Sequence, residues 1–156
     1  MKAIDYAKSF IGEKEKPNNG GFYNPILQEA MTKAGHKKGE AWCCYFAEAC
    51  FVESAGGDTT PKGRLLRTLF SANCVQTWRN FVRSKEFVTS KTPIPGALVL
   101  FMKKKNGLPT TSGHAGIVDK LAVGGVNMFS TVEGNTNSTG SREGDSVQPK
   151  KRSTSP

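Results

Sequence analysis

Pro93-Ile94-Pro95-Gly96-Ala97-Leu98-Val99-Leu100-Phe101-Met102 is the stretch at which the chain changes character. Before it, apolar residues recur at helical spacing. After it, they come in short continuous or alternating runs. The six residues from Ala97 to Met102 read as a strand covered on both faces. Residues 115–121 and 126–133 are two further strands, parted by a Gly124-Gly125 turn. The tail, 138–156, is rich in Ser, Thr and Gly; it holds either one last edge strand around 146–152 or loose, disordered chain.

Upstream, residues 2–11 place Ala3, Tyr6, Ala7, Phe10 and Ile11 on one helical face, and Gly12 ends the run. Pro17-Asn18-Asn19-Gly20-Gly21 is a loop by its turn chemistry. Pro25 suits the first position of a helix whose face is Ile26, Leu27, Ala30, Met31 and Ala34, with Gly35 as the stop. A third helix starts near Cys43 and runs to Ser54, and a fourth covers 73–84 with Val75, Trp78, Phe81 and Val82 on one side. Helices first and strands afterwards predict an α+β fold with an antiparallel sheet.

The 156 residues fit one domain, 1–156, large enough to bury a core without a staple. Apolar residues make up 37%, too many for a disordered chain. Lys and Arg number 22 against 13 Asp and Glu, so the net charge of +9 favours anionic partners. The longest apolar run, Ala97–Met102, is far below the roughly 20 residues a membrane helix needs, so no membrane insertion is expected. The opening Met1-Lys2-Ala3-Ile4-Asp5-Tyr6-Ala7-Lys8 has no apolar core and carries Asp5, which is not the pattern of a secretory signal. Four cysteines (43, 44, 50, 74) include an adjacent pair and no ligand-spaced set; free thiols are expected, and no metal.

Two of the few chemistry-bearing residues suit a nucleophile and its base. Cys43 falls where the loop Gly39-Glu40-Ala41-Trp42 turns into a helix. There the unpaired N–H groups and the positive end of the helix dipole lower a thiol pKa. On a helix, Cys43 shares a face with Phe46, Ala47 and Cys50, while Cys44 points elsewhere. Cys44, Cys50 and Cys74 therefore read as packing. His114, in Gly113-His114-Ala115-Gly116-Ile117-Val118, heads a strand between glycines. His36, beside Lys37 and Lys38, reads as a solvated loop residue.

A base must be oriented by a third polar group. Thr131-Val132-Glu133-Gly134-Asn135-Thr136 offers Glu133 and Asn135, which share a face if the strand stays extended through Gly134. The choice between them stays open. Trp42 packs at the cleft, and its backbone N–H suits an oxyanion hole. Lys103-Lys104-Lys105 and Lys150-Lys151-Arg152 read as solvated faces that would attract an anionic polymer.

Trp42-Cys43-x-x-Phe46, Pro95-Gly96, Gly113-His114-Ala115-Gly116-Ile117-Val118 and Glu133-Gly134-Asn135-Thr136, in that order, resemble the CHAP family (cysteine, histidine-dependent amidohydrolase/peptidase) of papain-like and NlpC-type hydrolases. Gly12-x-x-Glu15-x-Pro17-x-Asn19 resembles the element that commonly precedes the Trp-Cys pair. The resemblance implies a papain-like fold, with a catalytic Cys at a helix N-terminus packed on a C-terminal antiparallel sheet. It implies Cys43 as nucleophile, His114 as base, Glu133 and Asn135 completing the site, and Glu15 supporting it from below. It also implies cleavage of a peptidoglycan amide, at the sugar–stem junction or within stem and bridge peptides, without a cofactor. Ala97 stands where an Asp usually follows Pro-Gly, and no acids near 17–24 match the calcium loop of some members; no calcium requirement is expected.

The expected partner is thus peptidoglycan, met by a monomer made in the host cytoplasm and released to the wall by a holin or a secretion machine. A phage endolysin and a secreted cell-wall effector share this reading. A basic nucleic-acid-binding module is the competing class, but its aromatics should interleave with Lys and Arg, whereas here they sit at core-like helix positions, so no nucleic acid is expected. A relative that only transfers acyl groups or only binds the wall is the third reading.

Overall fold

The computed structural model describes residues 1–136 and 145–154. The helix Cys43–Ser54 (α3) is its axis, buried along almost its whole length from Cys43 to Cys50 and again at Val52. A helix covered on all sides carries no polar stripe, so angular position on a helical wheel does not tell which of its cysteines matters. Cys43 and Cys44 lie in the same buried cluster with Ala47, while Phe46 and Cys50 belong to a second cluster. The expected grouping of Cys43 with Phe46 and Cys50 is corrected accordingly.

Two helices precede α3. Ala3–Lys8 (α1) is shorter than the predicted 2–11; Gly12 takes a left-handed φ of 92° after a turn, and Ile11 is exposed. Pro25–Ala34 (α2) is capped by Asn24, whose side chain accepts from the Ile26 and Leu27 amides, and closed by left-handed Gly35. Its buried face is only Leu27 and Met31; Ile26 is 63% exposed. Burying each of those two side chains contributes on the order of 2 kcal/mol.

After α3 the chain forms Pro61–Leu69 (α4), which the sequence reading did not predict. Its apolar content is low and Gly63 sits inside it, but Thr60 caps it by accepting from the Gly63 amide, and Leu66 and Leu69 are buried. Cys74–Ser84 (α5) is capped by Asn73, which accepts from the Gln76 amide and donates to the Thr111 carbonyl at 2.9 Å. Asn73 thereby ties the start of α5 to the sheet. Val75 is buried as predicted, but Trp78 and Val82 are about two-fifths exposed.

Four strands follow: Leu98–Lys105 (β1), Leu108–Leu121 (β2), Met128–Thr136 (β3) and Ser146–Ser153 (β4). They form one antiparallel sheet in the order β1-β2-β3-β4. β4 is the edge strand expected around 146–152; the rest of the predicted tail, at 137–144 and 155–156, lies outside the described residues. β1 is the other edge and only half-buried, so the expectation of a strand covered on both faces fails. A continuous apolar run does not distinguish a central strand from an edge strand flanked by an apolar groove. Such a groove, of 630 Å³, opens beside β1, with Leu66, Phe70, Phe81 and Leu98 in its wall.

The sheet meets α3 through Ala115, Ile117 and Val132, while Val147 of β4 joins the cluster shared with α1 and α2. Gly134 is what lets β3 close on α3: a Cβ there would lie 2.7 Å from Phe46 Cβ and from Trp42 Cζ3. No side chain fits that gap. The helices preceding the sheet, with α3 laid across it, make an α+β fold of the papain-like kind.

Candidate active site

Cys43 is the first residue of α3, preceded by Trp42 at the cap position with no side-chain cap. Trp42 is fully buried, packed edge-on to Phe22 and Phe46, and donates its indole N–H to Glu15 Oε1 at 3.2 Å. Glu15 is itself buried, and among the described residues its Oε2 has no hydrogen-bond partner. Burial pushes its pKa up, opposed by the indole hydrogen bond. Glu15 therefore lies beneath the loop-to-helix junction that presents Cys43. Trp42 is a core residue rather than a cleft wall.

His114 lies on β2 opposite Phe101 of β1, whose ring stacks with the imidazole at 6.5 Å and 22°. Its Nε2 donates to Glu133 Oε1 at 2.8 Å, which leaves Nδ1 for the thiol. The imidazole and the Cys43 thiol are close enough for each to shift the other's pKa by a hydrogen bond and by charge. Burial pulls the His114 pKa down, and the Cys43 thiol and the Glu133 carboxylate together push it up to about 9. Hydrogen bonds from Cys44 and Cys74 hold Cys43 far below the usual thiol range; burial opposes them and His114 adds to the drop. The two shifts run in opposite directions, and both favour a thiolate beside an imidazolium, the reactive form of a cysteine nucleophile.

Glu133 is completely buried and fully engaged. Besides His114, it accepts from Thr131 Oγ1 at 2.5 Å, from Arg152 Nε at 2.9 Å and from Arg152 Nη2 at 2.5 Å. Burial alone would raise its pKa, but His114, Arg152 and Thr131 bring it down to about 2. The Arg152 guanidinium also sits 5.1 Å over the Phe101 ring. Phe101 thus lies against both the imidazole and the cation.

Geometry distinguishes the two residues between which alternation left the choice open. Asn135 takes a left-handed φ of 54°, and the β3–β4 register shifts between Glu133 and Thr136. The backbone leaves the extended form at Asn135, so alternation from Glu133 no longer gives the face of Asn135. Among the described residues Asn135 makes no hydrogen bond to His114; Glu133 does.

Three residues of the site escaped the sequence reading. Arg152, which reads from the sequence as part of a solvated face with Lys150 and Lys151, pairs with Glu133. Thr131 stands two positions before Glu133, so strand alternation alone would have placed it on the same face. Cys74 reads from the sequence as packing, but its Sγ lies 3.7 Å from that of Cys43. His36 is not a solvated loop residue either: it is half-buried against Phe22 and Tyr45, with Nε2 3.1 Å from the Glu40 carbonyl.

No helix among the described residues is long and apolar enough to cross a membrane. No curated protein and no solved structure matches the chain. The family model for the CHAP domain matches residues 35–135, a span that holds Cys43, His114 and Glu133 and covers more than half of the sequence. A buried carboxylate, an imidazole and a helix-borne thiol in that span agree with the family's requirement for cysteine and histidine, and the chain belongs to the CHAP family of amidohydrolases and peptidases.

Proposed function

We propose that this protein hydrolyses an amide bond of bacterial peptidoglycan through a thioester on Cys43. The observation that carries the reading is the imidazole of His114, held by Glu133 on one nitrogen and within reach of the Cys43 thiol with the other. The thiolate attacks the carbonyl carbon, and the carbonyl electrons move onto oxygen. That oxygen develops its charge at the N-terminus of α3, where the Trp42 backbone N–H is the candidate donor. As the tetrahedral adduct collapses, the C–N bond breaks and the His114 imidazolium gives its proton to the leaving amine. Water then yields a proton to His114 and attacks the thioester carbonyl, the C–S bond breaks, and Cys43 departs as thiolate with a carboxylic acid as product.

Glu133 orients the imidazole and stabilises its cationic form, and Glu15 supports the junction under Trp42. Asn135 closes the strand end beside the site rather than holding His114. The net charge of +9 supports an anionic polymer as substrate, with binding that weakens as salt rises. The setting most in keeping with these features is a phage endolysin reaching the wall through a holin-made pore; a wall-directed effector delivered by a secretion machine would use the same chemistry.

Digestion of purified peptidoglycan with mass analysis of the fragments tests the proposal. New amino termini on stem or bridge residues identify an endopeptidase, and free lactyl carboxylates on muramic acid identify an amidase. Intact peptidoglycan after prolonged incubation, or equal digestion by Cys43→Ala, overturns it.

A further inference from the structure

Cys43, Cys44 and Cys74 bring three buried sulfurs within 4.8 Å of one another, although no ligand-like spacing links them in the sequence. Cys74 is the shared member, with its Sγ 2.8 Å from that of Cys44 and 3.7 Å from that of Cys43. Two of the three, Cys43 and Cys74, are the first residues of α3 and α5, so two helix N-termini converge on the cluster.

We propose that this cluster is a binding site for a single thiophilic d10 cation of the Zn2+ type, held by the sulfurs of Cys43, Cys44 and Cys74. Four-coordinate zinc with sulfur ligands at about 2.3 Å places neighbouring sulfurs about 3.8 Å apart. The Cys43–Cys74 pair already stands at that separation, and the Cys44–Cys74 pair must open by about 1 Å to reach it. Three thiolates around a divalent ion leave one net negative charge, and the partial positive charge at two helix starts offsets it. The imidazole of His114, which interacts with the Cys43 thiol, stands beside the cluster. Anchoring is firm on both sides: α3 is buried along its length, and Asn73 pins the start of α5 to β2.

One consequence rests on the proposed function. A Cys43 sulfur bound to the ion gives up much of its negative charge to the metal and is held away from a carbonyl, so the ion acts as a reversible block on hydrolysis. The metal-binding site stands without that reading.

Titration of the reduced full chain with Cd2+ alone, followed by thiolate-to-metal absorption in the near ultraviolet, tests the site directly. The expected result is saturation at one equivalent, with Cys74→Ser and Cys44→Ser each losing about one third of the band and at least tenfold in affinity. Cys50→Ser, whose sulfur lies outside the cluster, keeps both. Circular dichroism establishes that each variant is folded. A wild-type band no larger than one thiolate gives, or a folded Cys74→Ser protein with unchanged band and affinity, overturns the site. In a separate arm, one equivalent of Zn2+ should abolish peptidoglycan digestion and a chelator should restore it. Binding with full digestion retained refutes the block alone. A chain that binds the ion and never digests peptidoglycan refutes the proposed function instead.

Discussion

Arg152 lays its guanidinium along the carboxylate of Glu133, Nε to Oε2 at 2.9 Å and Nη2 to Oε1 at 2.5 Å, so that the Oε1 which receives His114 is shared with a permanent cation. The carboxylate is fully buried, whereas the Arg152 side chain is about one-third exposed. Removing the cation strands a buried charge, which is costlier than never having built the pair. Arg152→Ala is expected to lower stability by about 2–3 kcal/mol, discounted for the exposure of the arginine. It should also slow hydrolysis as Glu133 loses its fixed position. Denaturant melts and initial rates check both, and a variant as stable and active as the parent refutes the role of the pair.

Cys43→Ala and His114→Ala should each abolish peptidoglycan digestion, by about 1,000-fold or more. The two differ in a second measurement. Iodoacetamide labelling of Cys43 at neutral pH should slow in His114→Ala, because the imidazole helps hold the thiol ionised.

Glu133→Gln separates orientation from charge. The carboxylate raises the His114 pKa, which stands at about 9, so its loss moves the alkaline limb of the pH–rate profile toward acid. A displacement of about one pH unit and a rate loss of about tenfold or more are expected. An unmoved limb would show that Glu133 does not stabilise the imidazolium.

The same two groups, with Cys43, set the pH dependence of stability. Glu133 is held at about 2 against an ordinary 4.5, so its stabilisation is complete above pH 4.5 and is lost as pH falls through 2; this amounts to about 3 kcal/mol. His114 is raised from 6.5 to about 9, so its contribution is complete below pH 6.5 and is lost as pH rises through 9. Cys43, held below its ordinary 9, gains over pH 6.5–9 what His114 loses, so the melting temperature should decline only as pH falls below about 6.5, and most steeply below 4.5. Glu133→Gln should flatten the acid side of that curve.

Glu15 gives a contrast between two substitutions. Its Oε1 accepts the Trp42 indole N–H while Oε2 is buried without a partner among the described residues. Glu15→Gln keeps an acceptor and removes a poorly solvated charge, so stability should stay within about 1 kcal/mol of the parent. Glu15→Ala leaves the indole N–H unsatisfied and should cost about 1–3 kcal/mol. Thermal melts of both variants decide it.

The sequence carried the helix-then-strand order because periodicity and turn residues are local signals. Cys43 and His114 were legible for the same reason: one sits at a loop-to-helix junction and the other at a strand start between glycines. What stayed hidden depends on register. Arg152 reaches Glu133 because β4 pairs with β3 so that Arg152 faces Phe129, and nothing in either strand alone gives that offset. Asn135 was misplaced because alternation assumes extended backbone, and its left-handed φ breaks the alternation. α4 was missed because Gly63 and three basic residues mask a face that rests on Leu66 and Leu69. The thiol cluster was invisible because α3 is buried all round, leaving no polar face to orient Cys44.

Gly134 follows Glu133 directly and meets Trp42, which directly precedes Cys43. The acid of one segment and the sulfur of another therefore each belong to a residue next in sequence to a single point of contact, and that contact exists only because a carbon is missing. Alignment of the whole proton path is thus referenced to a notch rather than to a fastening. A methyl group placed there would push base and nucleophile apart together, without touching either.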